Sequence, residues 1–172
     1  MVLWRISNYD TLDGLGGLKA PGRWHTRGHR VVYLSSSPAA ALLEILVHFE
    51  IQPGKLPQNY RLLEIQVPSG IQIEKIEPDS ALPPDWSNKL SLTQRLGDVW
   101  LAENCSSLLE VPSAIIAHTS NYLLNPAHGE ASKISISSVS QVNIDSCFVA
   151  NVNEGLVRPG LSAISWGEKH SL

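Results

Sequence analysis

The sequence has only two cysteines, Cys105 and Cys147, set far apart. A disulfide framework and a cysteine-pair zinc motif are both excluded. No stretch approaches the ~18 consecutive apolar residues that a bilayer-spanning helix needs, so a membrane helix is excluded too. There is also no run of like charge. Lys and Arg number 13 against 16 Asp and Glu, for a net charge of −3, whereas duplex nucleic acid or an acidic membrane demands a basic patch. Direct nucleic-acid binding is therefore not expected. Charged residues make up only 17% and hydrophobic ones 43%, which is too apolar for a disordered tail. The 172 residues fit one folded domain with a sizeable core. Arg5 and Asp10 interrupt the opening residues where a signal peptide would be apolar, so the expected location is the cytoplasm, with reduced thiols.

Two familiar motifs are incomplete. Gly14-Leu15-Gly16-Gly17 has neither the Gly-Lys-Ser/Thr ending of a phosphate loop nor the third glycine of a dinucleotide fingerprint. His25 and His29 have ligand-like spacing, but Arg27-Gly28 lies between them and no Glu follows the first His as a zincin requires. Both histidines read as part of a surface turn, and no metal is expected.

What is present reads as strands and helices in irregular order. Residues 2–6 form a short apolar strand, residues 7–22 a Gly- and Pro-rich loop, and residues 31–34 a buried β-branched strand. The serine run 35–37 and Pro38 then open a helix over 39–49, with Glu44 and His48 four apart on one face. Alternation predicts strands at 60–67 and 71–76, joined as a hairpin through Pro68-Ser69-Gly70. Four prolines make 77–88 a loop; 90–103 is a helix; 108–111 and 114–117 are short strands. Asn125-Pro126 closes a turn, and residues 134–148 add a last strand. From 149 onward Gly and Pro replace periodicity, giving a folded unit over 1–148 and a tail over 149–172 of unassigned role. The fold class is α+β, one domain around a mixed or antiparallel sheet, because most connections are too short for parallel crossovers.

Three residues invite chemistry. Arg23 follows Pro21-Gly22, where close backbone approach could hold its guanidinium flat for bidentate phosphate binding; the alternative is an ordinary surface arginine. Tyr33 alternates with Val32 and Leu34, so its ring points to the opposite face, as core or as a stacking platform. Glu44 sits among apolar residues that favour burial, and a buried unpaired charge costs several kcal/mol. Either a neighbouring Arg or Lys or a substrate hydroxyl or cation must meet it.

The ordered series Arg23-Trp24-His25, VVYLSSSP from Val31, ALLEILVH from Ala41, TQRLGDVW from Thr93, LEVPS from Leu109 and NYLLNPAH from Asn121 resembles the RES domain family, whose members are toxins of bacterial toxin–antitoxin pairs. The likeness spans about residues 3–148. It implies a fold similar to ADP-ribosyltransferases, a cleft that takes NAD as substrate, and cleavage of the nicotinamide–ribose bond. By motif the family's Arg, Glu and Ser fall on Arg23, Glu44 and Ser113, and its site tyrosine on Tyr33; Ser35, Ser36 and Ser37 lie nearer to Tyr33 in sequence. Arg23, Tyr33 and Glu44 would hold NAD. The resemblance also implies an Xre-type helix-turn-helix antitoxin, to which any DNA binding would belong. Water, phosphate or a protein side chain could be the acceptor, the last giving ADP-ribosylation; a binding partner with a degenerate site is a further alternative.

Overall fold

The computed structural model describes residues 1–48 and 60–142. Phe49 at the expected end of the first long helix, residues 143–148 of the expected last strand, and the tail from 149 lie outside the described residues.

Seven strands make one sheet among the described residues: β1 (Val2–Ser7), β2 (Val32–Ser35), β3 (Arg61–Gln66), β4 (Ile73–Lys75), β5 (Leu108–Pro112), β6 (Ser120–Leu124) and β7 (Ser135–Gln141). Their order is β4-β5-β6-β2-β1-β3-β7. Only β4 and β5 run parallel; the other pairs are antiparallel. The sheet is therefore mixed, as the sequence predicts. β1 pairs with β3 over its full length, from Val2–Gln66 to Ser7–Arg61, but meets β2 only at Trp4–Ser35.

Because side chains alternate along a strand, both faces can be apolar and both must be covered. Val32, Leu34, Leu108, Tyr122 and Leu124 feed one buried cluster with Leu3, Leu63 and Ile65. Leu109, Val111 and Leu123 feed the other, with Val31, Trp24, Leu82 and Trp100. Helix α4 (Leu90–Glu103) supplies Trp100 to this second cluster and buries Thr93, Gly97 and Trp100 at helical spacing.

Helix α2 (Pro38–His48) begins as expected. Ser37 Oγ accepts the Ala40 N–H at 3.1 Å and Pro38 occupies the first helical position. Its buried Ala40 and Ala41 let the helix lie close on β1 and β2, which brings Glu44 over the sheet.

Four expectations need correction. Strands β3 and β4 do not form a hairpin: β3 is flanked by β1 and β7, while β4 lies at the far edge beside β5. Alternation records which face is buried, not which strand is the neighbour, and the chain that turns at Gly70 (φ +87°) crosses to the far edge of the sheet, where β4 runs in the same direction as β3. Residues 114–117 are not a strand. Ser113 Oγ accepts the N–H groups of Ile115 and Ile116 at 3.1 and 3.3 Å, so those donors close a turn instead of a ladder, and the return strand is β6. The loop 7–22 contains a short helix, α1 (Leu15–Lys19), whose Leu15 N–H is taken by Asp13 Oδ1 at 3.0 Å. Loop 77–88 contains α3 (Pro78–Ala81) and a 3-10 turn, Trp86–Asn88. No helix of the described residues is long and apolar enough to cross a membrane.

Candidate active site

A cavity of about 350 Å³ opens between α1, α2 and the β1–β2–β6 part of the sheet, and Arg23, His25, Tyr33, Ser35, Glu44 and Asn121 line it. The structure thus brings Arg23, Tyr33 and Glu44 to one place, although 21 positions separate the first from the last in sequence. A volume of this size is at the lower end of the range for small-molecule sites.

Glu44 is delivered by α2. Its Oε1 accepts Asn121 Nδ2 at 2.5 Å and Ser113 Oγ at 3.0 Å, so two neutral donors meet the carboxylate. The amide is itself oriented. Ser35 Oγ donates to Asn121 Oδ1 at 3.0 Å, which leaves the NH2 side of Asn121 toward Glu44. The register of β2 against β6 makes this possible by placing Ser35 directly opposite Asn121.

Tyr33 projects from β2 to the face opposite Val32 and Leu34, as alternation predicts. Its hydroxyl oxygen accepts the Trp24 N–H at 3.0 Å and lies 2.8 Å from His25 Nδ1. His25 Nε2 lies 3.2 Å from the Ala20 carbonyl. A carbonyl can only accept, so Nε2 is assigned the proton, Nδ1 is the acceptor, and Tyr33 donates to it. Burial acts in the same sense on both rings: it lowers the His25 pKa below its usual value, favouring neutral imidazole, and raises that of Tyr33, keeping the phenol protonated.

The placing of His25 corrects the sequence reading. It is not in a surface turn; it is only 3% exposed and holds the Tyr33 hydroxyl. The space is tight, for a Cβ on Gly22 would come within 2.5 Å of the Tyr33 hydroxyl. Gly17 is likewise a packing glycine: a Cβ there would meet the His29 carbonyl at 2.3 Å. The Gly-rich segment thus serves close approach of backbones.

Arg23 donates from Nη1 to the Ser87 carbonyl at 2.8 Å. That single bond fixes one end of the guanidinium and leaves further N–H groups of the planar fork for a ligand. Ser113 reaches the cavity only through Glu44; its loop lines a neighbouring groove of about 650 Å³ that also includes Ser87. Of the alternative serines, Ser35 lines the cavity, Ser37 caps α2 and Ser36 is exposed. Asn121 and His25 belong to motifs visible in the sequence, but only the strand register and the fold of the 20–25 loop show what they touch. Among the described residues no group of three or more His, Cys, Asp or Glu could hold a metal ion.

The RES domain family model matches residues 2–145. The chain is 46% identical over 136 residues to a protein named Toxin Res from Pseudomonas putida strain KT2440, covering 79% of this chain and 92% of the relative. It is 35% identical over 142 residues to the Prs ADP-ribosylating toxin of Sphingobium sp. strain YBL2, covering 76% and 86%. The fold resembles a chain in the crystal structure of the M. tuberculosis MbcT–MbcA toxin–antitoxin complex, with a TM-score of 0.69 and 17% identity over 89% of this chain and 88% of that one. With the family model spanning most of its length, this chain belongs to the RES domain family.

Proposed function

We propose that this chain is the toxin of a bacterial toxin–antitoxin pair and that it consumes NAD by breaking the nicotinamide–ribose bond. The observation that carries the reading is the Glu44 carboxylate, held by Asn121 and Ser113 in the same cavity as Arg23 and Tyr33. Heterolysis of the C1′–N bond sends its electron pair to the pyridinium nitrogen, releasing neutral nicotinamide and leaving an oxocarbenium-like ribose. Catalysis then needs fixed negative charge at the ribose and a firm hold on the phosphates.

Glu44 meets the first need. With Oε1 anchored by two donors, the carboxylate does not have to reorganise as positive charge develops at C1′, and this preorganisation is where electrostatic stabilisation comes from. Arg23 meets the second by charge-assisted hydrogen bonds to the pyrophosphate. Tyr33, held upright by Trp24 and His25, offers its ring for stacking on nicotinamide or the reacting ribose. These roles require no metal.

The acceptor decides the product: water gives hydrolysis, inorganic phosphate gives phosphorolysis, and a protein side chain gives ADP-ribosylation. The name of the Sphingobium relative favours keeping protein transfer as a second reading, since all three outcomes share the same first step. The antitoxin is proposed to be an Xre-type helix-turn-helix protein that covers the cleft in the cytoplasm and brings any operator binding. Incubation of the purified protein with NAD, with and without phosphate, and mass analysis of the products separates the acceptors. ADP-ribose marks water, a phosphorylated ADP-ribose marks phosphate, and NAD that stays intact in every arm would count against the reading.

A further inference from the structure

Helix α4 supplies none of the described residues that line the cavity, yet one of its faces grips the segment that carries Arg23. Thr93 Oγ1 donates to the Arg23 carbonyl at 2.6 Å, and Gln94 Nε2 donates to the Gly22 carbonyl at 2.9 Å. One turn on, Gly97 lies so close that a Cβ would sit 1.7 Å from the Trp24 carbonyl oxygen. Asp98 then accepts both the N–H and the hydroxyl of Thr26, at 2.9 and 2.7 Å. Positions 93, 94, 97 and 98 share one helical face. Together they touch residues 22, 23, 24 and 26.

The other end of Arg23 is tied to the same body. Its guanidinium donates to Ser87 in the 3-10 turn just before α4, and Lys89 joins turn to helix, giving its N–H to the Trp86 carbonyl and accepting the Thr93 N–H. Trp86 also packs against Trp24, with ring centroids 5.7 Å apart. Backbone and side-chain tip of Arg23 are therefore both referenced to one rigid piece, residues 86–103.

Thr93 is the pivotal contact. It is fully buried, and its hydroxyl has one proton for two carbonyls, Arg23 at 2.6 Å and Leu90 at 3.0 Å. The shorter bond takes it, and the helix does not need it.

We propose that the α4 face, through Thr93 and Gln94, is the positioning element for Arg23: it acts on the site only by holding the backbone carbonyls of residues 22 and 23. This rests on the NAD reading for its ligand but not for its geometry. Misplacement of a binding group by about 1 Å is enough to cost orders of magnitude in rate or affinity.

The test compares Thr93→Val, which keeps the shape and loses the donor, with Thr93→Ser, which keeps the donor, each in the wild-type and Arg23→Ala backgrounds. Thr93→Val should raise the KM for NAD about tenfold with kcat little changed, the scale of one lost buried hydrogen bond; Thr93→Ser should stay within about threefold of wild type. In the Arg23→Ala background Thr93→Val should lower Tm as before but no longer move KM. Gln94→Glu, of equal volume and unable to donate to Gly22, should repeat the pattern should Thr93→Val fold poorly. The Nε–H NMR signal of Arg23, read without NAD, should shift or broaden in Thr93→Val and return in Thr93→Ser. Loss of Tm with KM and the Arg23 signal both unmoved, or an equal KM effect without Arg23, overturns the inference. A wild-type protein that leaves NAD intact refutes the functional reading instead, and the Arg23 signal then decides the positioning role by itself.

Discussion

Replacing Glu44 with Gln is the most informative single change. The amide keeps the side-chain volume, and its oxygen can still accept from Asn121 and Ser113, the two donors that now meet Oε1 at 2.5 and 3.0 Å. Because Ser35 fixes the Asn121 amide from the other side, the pocket has little reason to rearrange. What disappears is the negative charge proposed to face the ribose. Removing one preorganised electrostatic contact of this kind raises the barrier by about 3–4 kcal/mol, which is roughly a hundred- to thousand-fold in rate. The expected result is Glu44→Gln protein with a Tm close to wild type and NAD affinity within a few-fold, but with turnover reduced by that factor. Single-turnover kinetics, equilibrium NAD binding and a thermal melt measure the three quantities separately. Near-normal turnover in the folded variant would assign Glu44 to structure and refute the charge argument.

Other changes probe the remaining parts of the site. Arg23→Lys keeps the charge but loses the planar fork, so NAD binding should weaken by about tenfold or more; wild-type affinity would reduce Arg23 to a general surface charge. Gly22→Ala forces a Cβ to within 2.5 Å of the Tyr33 hydroxyl and 2.8 Å of the His25 ring, and both rings are held by hydrogen bonds. It should cost about 1–3 kcal/mol of stability, at about 2–4 °C of Tm per kcal/mol for a chain of this size. The His25 pKa is lowered by burial from the usual 6.5, so the unfolded chain binds the proton more readily. Its contribution to stability is complete above pH 6.5 and is lost as pH falls from there to the lowered folded value. Melts across that window should show wild type losing more Tm than His25→Gln, and parallel curves would remove His25 from the account. An antitoxin that covers the cleft should compete with NAD in a direct titration; unchanged NAD affinity in an inactive complex would place inhibition elsewhere.

Much of this arrangement could be read before the fold was known. The serine run and Pro38 marked the start of α2. The face of Tyr33 followed from alternation. Contacts made at long range could not be read in this way. Ser113 and Asn121 lie 69 and 77 positions from Glu44, and only the pairing of β5 with β6 and of β6 with β2 brings them to it. Local signals also misled where tertiary contacts prevailed. Ile115 and Ile116 carry strand-like side chains, but the hydroxyl of Ser113 captures their N–H groups. His25 looked like part of a turn because its partners, the Ala20 carbonyl and the Tyr33 hydroxyl, come from either side of it. The Gly-rich stretch 14–17 lacks the ending of a phosphate loop, but its local reason stayed hidden: Gly17 is small because the His29 carbonyl lies against it.

The central claim is that the cavity holding Arg23, Tyr33 and Glu44 cleaves the nicotinamide–ribose bond. Quantifying free nicotinamide as folded, antitoxin-free protein is incubated with NAD, in parallel with Glu44→Gln, tests it most directly. The account predicts one nicotinamide released per NAD lost by the wild type, and at least a hundredfold slower release by the variant. NAD left intact by the wild type, or equal release by both proteins, would contradict it.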